Sequence, residues 1–297
     1  MRSAQVDNIL RAMGLPTTEV YELPTSTKTF ADGAHYRTEE LPTTVDEYER
    51  TYALADEHGY VINRISDVRG TMFDSEEELL RKLQLAREHG SEVLMAPGPG
   101  EHPFDISQQA EIHQMVEGKL RGMDNVRHTL ERLLRASELG CRGFLMYDEG
   151  VLLIALRMRQ EGILPQETKF KISANVSVAN AAALKFWFDL LDPQDDINPV
   201  RDLTLPMLAA MRQISDRALD IHVFHRATVA RTMEDPEIVR IGSPVYLKNA
   251  RSGPGMGVEA RVRQGFRVID TMREQRAEAM QSGPGAKGLA VPAERSG

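Results

Sequence analysis

Cysteine is nearly absent: Cys141 is the only one in 297 residues. One thiol cannot form an intrachain disulfide, a CxxC redox pair, or an all-cysteine zinc or iron–sulfur site within the chain. Long apolar runs are missing too. No stretch approaches the roughly 20 consecutive apolar residues of a membrane-spanning helix, and no basic segment leads into an apolar run at the N-terminus. The expected location is therefore the cytoplasm, with no membrane partner. Basic excess is also absent. The formal net charge of −8 argues against a nonspecific DNA-binding surface and makes RNA a disfavoured partner, although a local basic patch could hold an anion. There is no HExxH, and the glycine-rich stretches APGPG (96–100) and SGPGMG (252–257) lack both a Walker lysine and the strand-to-helix dinucleotide pattern.

What is present is the composition of a folded protein, with 41% hydrophobic and 27% charged residues. Short strand-like segments alternate with amphipathic helices from about residue 34 onward. HYRTEEL (35–41) leads into a helix carrying Val45, Tyr48, Tyr52 and Ala55. GYVINRI (59–65) precedes DSEEELLRKLQLAREHG, where Asp74 and Glu77 have capping-box spacing. SEVLMAPG (91–98), residues 142–148, KFKISAN (169–175), DDINPVR (195–201), LDIHVF (219–224) and EIVRIGSPVYLKN (237–249) supply the remaining strands. Helices are expected between most of them, at 126–139, 151–160, AAALKFWFDLL and TLPMLAAMRQIS, whose Pro206 suits a first turn.

Eight such units fit a (β/α)8 TIM-like barrel with a C-terminal helix better than an open doubly wound sheet. The expected layout is an N-terminal extension (1–33), a barrel (34–250), a closing helix (251–281) and a disordered tail (282–297).

The centre of the chain carries ordered motifs: YDEGVLLIA around Asp148, KISANVSVAN with Ser173, Asn175 and Asn180, RDLT with Arg201 and Asp202, and HVFHRAT with His222 and His225. In this order they resemble the U32 peptidase family. The resemblance spans roughly 141–226 and places the family aspartate on Asp148, Asn175 in a glutamine position and His222 where the family has an acid. Some members are implicated in oxygen-independent hydroxylation of RNA or quinone precursors through a cysteine cluster. This chain lacks those cysteines, so an iron–sulfur cofactor is not expected, and the resemblance bears on the scaffold more than on proteolysis or hydroxylation.

Barrel enzymes draw their reacting groups from the upper, C-terminal ends of several strands. The candidates there are Glu39 or Glu40, Arg64, Asp148 or Glu149, Ser173 with Asn175, Arg201, His222 or His225, and Lys248. Alternation turns Asp148 and Glu149 to opposite sides, and likewise His222 and His225, while each strand stays extended. Asp148, Glu149 and His222 are the catalytic candidates, with a helix cap or an ion pair as the alternative for the two acids. Arg64, Ser173, Asn175, Arg201 and His225 are the substrate-binding candidates; for the arginines the alternative is an ion pair, for Ser173 and Asn175 a structural hydrogen bond. Glu40, Asp148 and His222 together could ligate a divalent metal. Lys171 shares a strand face with Ser173 and becomes a Schiff-base candidate if desolvated.

The leading functional expectation is hydrolase or lyase chemistry on a small polar or peptide-like substrate, by carboxylate acid–base or metal assistance. The alternatives are a non-catalytic subunit binding protein, RNA or a metabolite, with oligomerisation open, and an enzyme modifying RNA or a small molecule.

Overall fold

Several strand segments alternate hydrocarbon with charge. KFKI, LDIH and VYLK each set apolar side chains on one face and ionisable or phenolic ones on the other. Parallel strands covered on both sides usually read as continuous apolar runs. Charge at every second position therefore needs a partnered polar interior on one side of the sheet.

The computed structural model describes residues 2–98, 119–223, 235–249 and 257–294. Strands β1 (Tyr36–Glu40), β2 (Arg64–Asp67), β3 (Glu92–Met95), β4 (Gly143–Met146), β5 (Lys169–Ile172), β6 (Asp196–Ile197), β7 (Leu219–His222) and β8 (Val245–Lys248) form one closed parallel barrel in chain order. The closing ladder pairs Tyr36 with Val245 and Glu39 with Lys248. After α1 (Arg2–Ala12), the helices are α2 (Val45–His58), α3 (Glu76–Glu88), α4 (Gly122–Glu138), α5 (Glu149–Gln160), α6 (Ala181–Leu190), α7 (Leu205–Ile214), α8 (Asp235–Gly242) and α9 (Val258–Gln275). The (β/α)8 architecture with a closing C-terminal helix is thus present. No described helix is long and apolar enough to cross a membrane.

Local chemistry fixes many helix starts. Thr44, Asn180 and Thr204 each accept a hydrogen bond from a first-turn N–H of α2, α6 and α7. The capping box of α3 is built by Ser75 and Glu78, one residue beyond the expected pair. Asp74 is drawn away because it binds the buried Lys82 ammonium, which also donates to Asp67 at 2.8 Å. The segment 237–249, read from sequence as one strand, divides into α8 and β8. Ile238, Val239 and Ile241 are buried on the helix, and the chain restarts as a strand after Pro244.

The main hydrophobic core lies between sheet and helices, not inside the barrel. Outward-facing Ile65, Val93, Phe144, Phe170, Ile221 and Leu247 join helix residues such as Leu83, Leu133 and Leu156 in one cluster. Inside, a small apolar group of Leu94, Ala96, Leu145 and Tyr147 lines the β3–β4 side. The other described inward-facing side chains are polar, most of them charged.

The lower opening is covered by the chain's own C-terminal segment. Expected as a disordered tail, residues 282–294 instead run against the strand starts and the loops below them. Arg37 donates through Nε to Ser282 Oγ at 2.9 Å and through Nη2 to the Lys287 carbonyl at 2.8 Å. Lys169 Nζ donates to the Gly288 carbonyl at 2.8 Å, and the Ala290 N–H donates to Glu92 Oε2 at 2.8 Å. Low complexity hides this order because the anchors are mostly backbone groups, which composition does not report. Removing residues 282–297 strips hydrogen bonds from three buried charged groups. At about 1.5–3 kcal/mol for each charge-assisted bond, the truncated chain should lose at least 3 kcal/mol in urea denaturation. An unchanged midpoint would show that the segment is decorative.

Candidate active site

Alternation in the strands sends Glu39, Arg64, Ser66, Lys169, Lys171, Asp196, Asp220, His222, Tyr246 and Lys248 into the barrel. Arg64 is the lower hub. Its Nε donates to Glu92 Oε1 at 2.7 Å, its Nη2 pairs with Asp196, and its Nη1 lies 3.5 Å from Glu39 and 3.6 Å from Asp220. Its guanidinium also lies over the Tyr246 ring, 3.3 Å from the centroid, and the Tyr246 hydroxyl donates to Glu92 at 2.6 Å.

Lys171 is the upper hub. Its Nζ donates to both Glu39 oxygens at 2.7 and 2.9 Å, to Ser66 Oγ at 2.9 Å, and to Asp220 Oδ2. Lys248 Nζ sits 3.1 Å from Glu39 Oε1. Two ammonium groups and two carboxylates therefore share one small volume in which Lys171 has no solvent exposure.

Burial sets the direction for each group, and its neighbours then move it. Desolvation lowers Lys171; Asp220 and Glu39 oppose this, Lys248 and Arg64 reinforce it, and the amine comes to about 8. Burial and the adjacent Glu39 carboxylate raise Asp220 to about 7 against Lys171 and Lys248. Burial also pushes Glu39 up, but Lys171, Lys248 and Arg64 outweigh it and hold that carboxyl well below its ordinary range. One carboxylate is held ionised while its neighbour and the amine are both shifted toward neutrality, a pattern also found in acid–base sites. Asp220 Oδ1 is buried without a hydrogen-bond partner among the described residues.

His222 and Ser173 lie above this cluster, each buried with a narrow exposed edge. Asn198 Nδ2 donates to the Asp220 carbonyl at 2.7 Å and lies 3.1 Å from His222 Nδ1, which orients the imidazole. Ser173 Oγ accepts from the Asn175 N–H at 3.2 Å and caps the 3-10 turn Ala174–Val176. Arg201 Nη2 donates to Asn175 Oδ1 at 3.3 Å. The structure thus gathers Ser173, Asn175, Arg201 and His222 around the upper β5–β7 rim. Arg64 lies deeper, fully engaged in ion pairs. His225 falls outside the described residues.

Asp148 and Glu149 occupy a different place. Asp148 Oδ1 accepts from the Val151 N–H at 3.0 Å and Oδ2 accepts from the Leu120 N–H at 3.0 Å, so both oxygens serve as backbone caps. It borders a small cavity with Pro97, Leu120, Thr129, Met146 and Tyr147. Glu149 is a half-buried first-turn residue of α5, paired with Lys119 at 2.6 Å. Among the described residues no three His, Cys, Asp or Glu side chains are grouped to hold a metal ion, so Glu40, Asp148 and His222 do not come together as a ligand set.

Alternation explains the position of Glu40. Glu39 points inward, so Glu40 points outward beneath α9, where Asn249 Nδ2 donates to its oxygens at 2.9 and 3.0 Å. A Cβ at Gly265 would lie 2.2 Å from Glu40 Oε1, so glycine is what lets α9 close over the carboxyl. Burial raises Glu40 to about 8, with Asn249 and Arg261 only partly opposing it.

No family model matches the chain, and no curated protein sequence matches it. Several solved structures do resemble it in fold. The structure described as native KDPGal superposes with a TM-score of 0.50 at 12% identity, covering 83% of this chain and 98% of that one. A U32 peptidase structure gives a TM-score of 0.44 at 13% identity over 77% of this chain and 98% of its own. A truncated 3-deoxy-D-arabino-heptulosonate 7-phosphate synthase from Thermotoga maritima gives 0.46 at 9% identity, covering 87% and 95%. The first likeness establishes the barrel fold alone, and the lower scores add nothing to it.

Glu40 supplies a test of the electrostatics. A carboxyl raised on folding stabilises the folded state fully below its unfolded pKa, about 4.3. That contribution is lost as pH rises through its folded value of about 8. Relative to Glu40→Gln, the wild type should therefore lose stability steadily across this window in pH-resolved urea titrations, by up to about 1.4 kcal/mol per pH unit. A pH-independent difference between the two proteins would place an ionised carboxylate there instead.

Proposed function

We propose that this chain is a cytoplasmic barrel enzyme of the lyase type, forming an imine between Lys171 and the carbonyl of a small polar substrate. The observation that supports this is the Lys171–Asp220–Glu39 cluster, in which a desolvated amine near 8 adjoins a carboxyl near 7 and a second cation, Lys248. A lysine is a carbonyl nucleophile when it loses its proton at working pH, and desolvation beside another cation is one way to achieve this.

In this reading the neutral Lys171 Nζ attacks the carbonyl carbon while Asp220 delivers its proton to the carbonyl oxygen. The nitrogen then gives up a proton to the Asp220 carboxylate, Asp220 passes that proton to the hydroxyl, which leaves as water, and a protonated imine remains. That protonated imine is an electron sink for breaking a neighbouring C–C or C–H bond. Glu39 remains ionised and balances the positive charge. His222, oriented by Asn198 at the rim, is placed to move the proton of that later step. Asp148 and Glu149 are engaged as a cap and a surface pair, so the acid–base work passes from them to the β1 and β7 carboxylates. The ordered motifs across 141–226 support a U32-like scaffold without adding to the chemistry.

Borohydride trapping tests this reading. Incubation with a panel of small ketones, aldehydes and keto acids, then reduction and peptide mass spectrometry, should place a stable adduct on Lys171 and on no residue of Lys171→Met. Trapping needs the neutral amine, whose fraction grows up to about 8, and a protonated Asp220, whose fraction falls above about 7. Its rate should therefore peak between those two values. An adduct that persists in Lys171→Met, or no adduct with any member of the panel, would overturn the assignment.

A further inference from the structure

The rim above Lys171 carries hydrogen-bond donors that no acceptor among the described residues receives. Ser173 continues the inward face of β5 two residues beyond Lys171 and caps the turn that presents Asn175. Strand β6 pairs with β5 through Lys171–Asp196 and Ile172–Ile197, and its exit brings Arg201 beside that turn. The Val200 N–H donates to the Val178 carbonyl at 3.0 Å, tying the two exits together.

Arg201 Nη2 donates to Asn175 Oδ1, which fixes which end of the amide faces the guanidinium. Two donors are then left over. Among the described residues, Arg201 Nε and Asn175 Nδ2 are both buried atoms without a hydrogen-bond partner. Arg201 also makes no ion pair among the described residues, unlike the interior cations Arg64, Lys169, Lys171 and Lys248. Each buried unsatisfied donor costs about 1–3 kcal/mol, more for a charged group. Two such donors side by side call for an explanation, and a bound ion or ligand group that completes both is one. Donors alone, one of them cationic, call for an acceptor that is itself anionic, and a planar guanidinium suits carboxylate or phosphate oxygens.

We infer that Arg201 and Asn175 form an anion subsite at the β5–β6 rim, which holds a carboxylate or phosphate group of the substrate. This rests on the imine reading for its catalytic meaning, since the subsite would hold the anionic end of a carbonyl compound whose carbonyl reaches down to Lys171. The enzyme would then select keto acids or phosphorylated carbonyl compounds over neutral ones.

Calorimetric binding to the full chain separates the two claims, with pyruvate as the carboxylate probe, inorganic phosphate as the phosphate probe and dihydroxyacetone as the neutral control. The anion subsite predicts that one of the first two binds at least ten-fold more tightly than dihydroxyacetone, and whichever does so identifies the group. The preference should persist in Lys171→Met, which cannot form an imine. It should fall at least ten-fold in Arg201→Gln and in Asn175→Asp, and return in part in Arg201→Lys, with circular dichroism confirming that each variant folds. Anion binding equal to the neutral control, or unchanged in both Arg201→Gln and Asn175→Asp, would overturn the subsite. Trapping on Lys171 without anion preference would leave the imine reading standing and remove only this inference.

Discussion

Charge inside a closed barrel must be paired, and the rest of this structure depends on that constraint. Five cations, Arg37, Arg64, Lys169, Lys171 and Lys248, and four carboxylates, Glu39, Glu92, Asp196 and Asp220, are buried within it or at its floor. Removing one member of such a pair typically costs about 3–5 kcal/mol, because its partner is left uncompensated. Each strand therefore has to be placed so that its inward charge meets its partners on other strands. The lattice is a demanding way to fill a barrel, since well-packed hydrocarbon often does at least as well for stability alone.

The lattice is graded from floor to mouth. At the floor, Arg64, Lys169 and Arg37 hold Glu92 well below its ordinary range despite burial, and the C-terminal segment supplies a further donor through Ala290. Higher up, the balance tightens: two carboxylates and two lysines crowd together, and Lys171 and Asp220 move toward neutrality. The lower part is held ionised by its ion pairs, whereas in the upper part Lys171 and Asp220 are both shifted toward neutrality. That gradient agrees with the rule that barrels keep stability at the bottom and chemistry at the top.

Much of the fold was legible in the sequence because strand and helix periods are local. YRTEE, KFKI and LDIH show their inward charges directly, and Lys171 and Ser173 could be put on one face by counting. The division of 237–249 into α8 and β8 was not legible, because a short apolar helix and a buried strand look alike in composition. The candidate site was legible only in part. Asp148 stands at a strand exit as expected, but the fold gives both its oxygens to backbone N–H groups, one of them from the distant Leu120. Asp220 does not stand out in the sequence because its partners, Glu39 and Lys171, come from distant strands. The inward alternation shared by Glu39, Lys171, Asp220 and Lys248 was the signal that could have found it.

The central claim is that the barrel holds Lys171 as an amine poised near neutrality, and NMR titration of the lysine side chains tests it most directly. With the signal assigned by its loss in Lys171→Arg, Lys171 should titrate near 8, well below the roughly 10.4 of an ordinary lysine. A Lys171 signal that stays in its ammonium form up to the ordinary lysine range would contradict the account and leave the interior lattice a structural device alone.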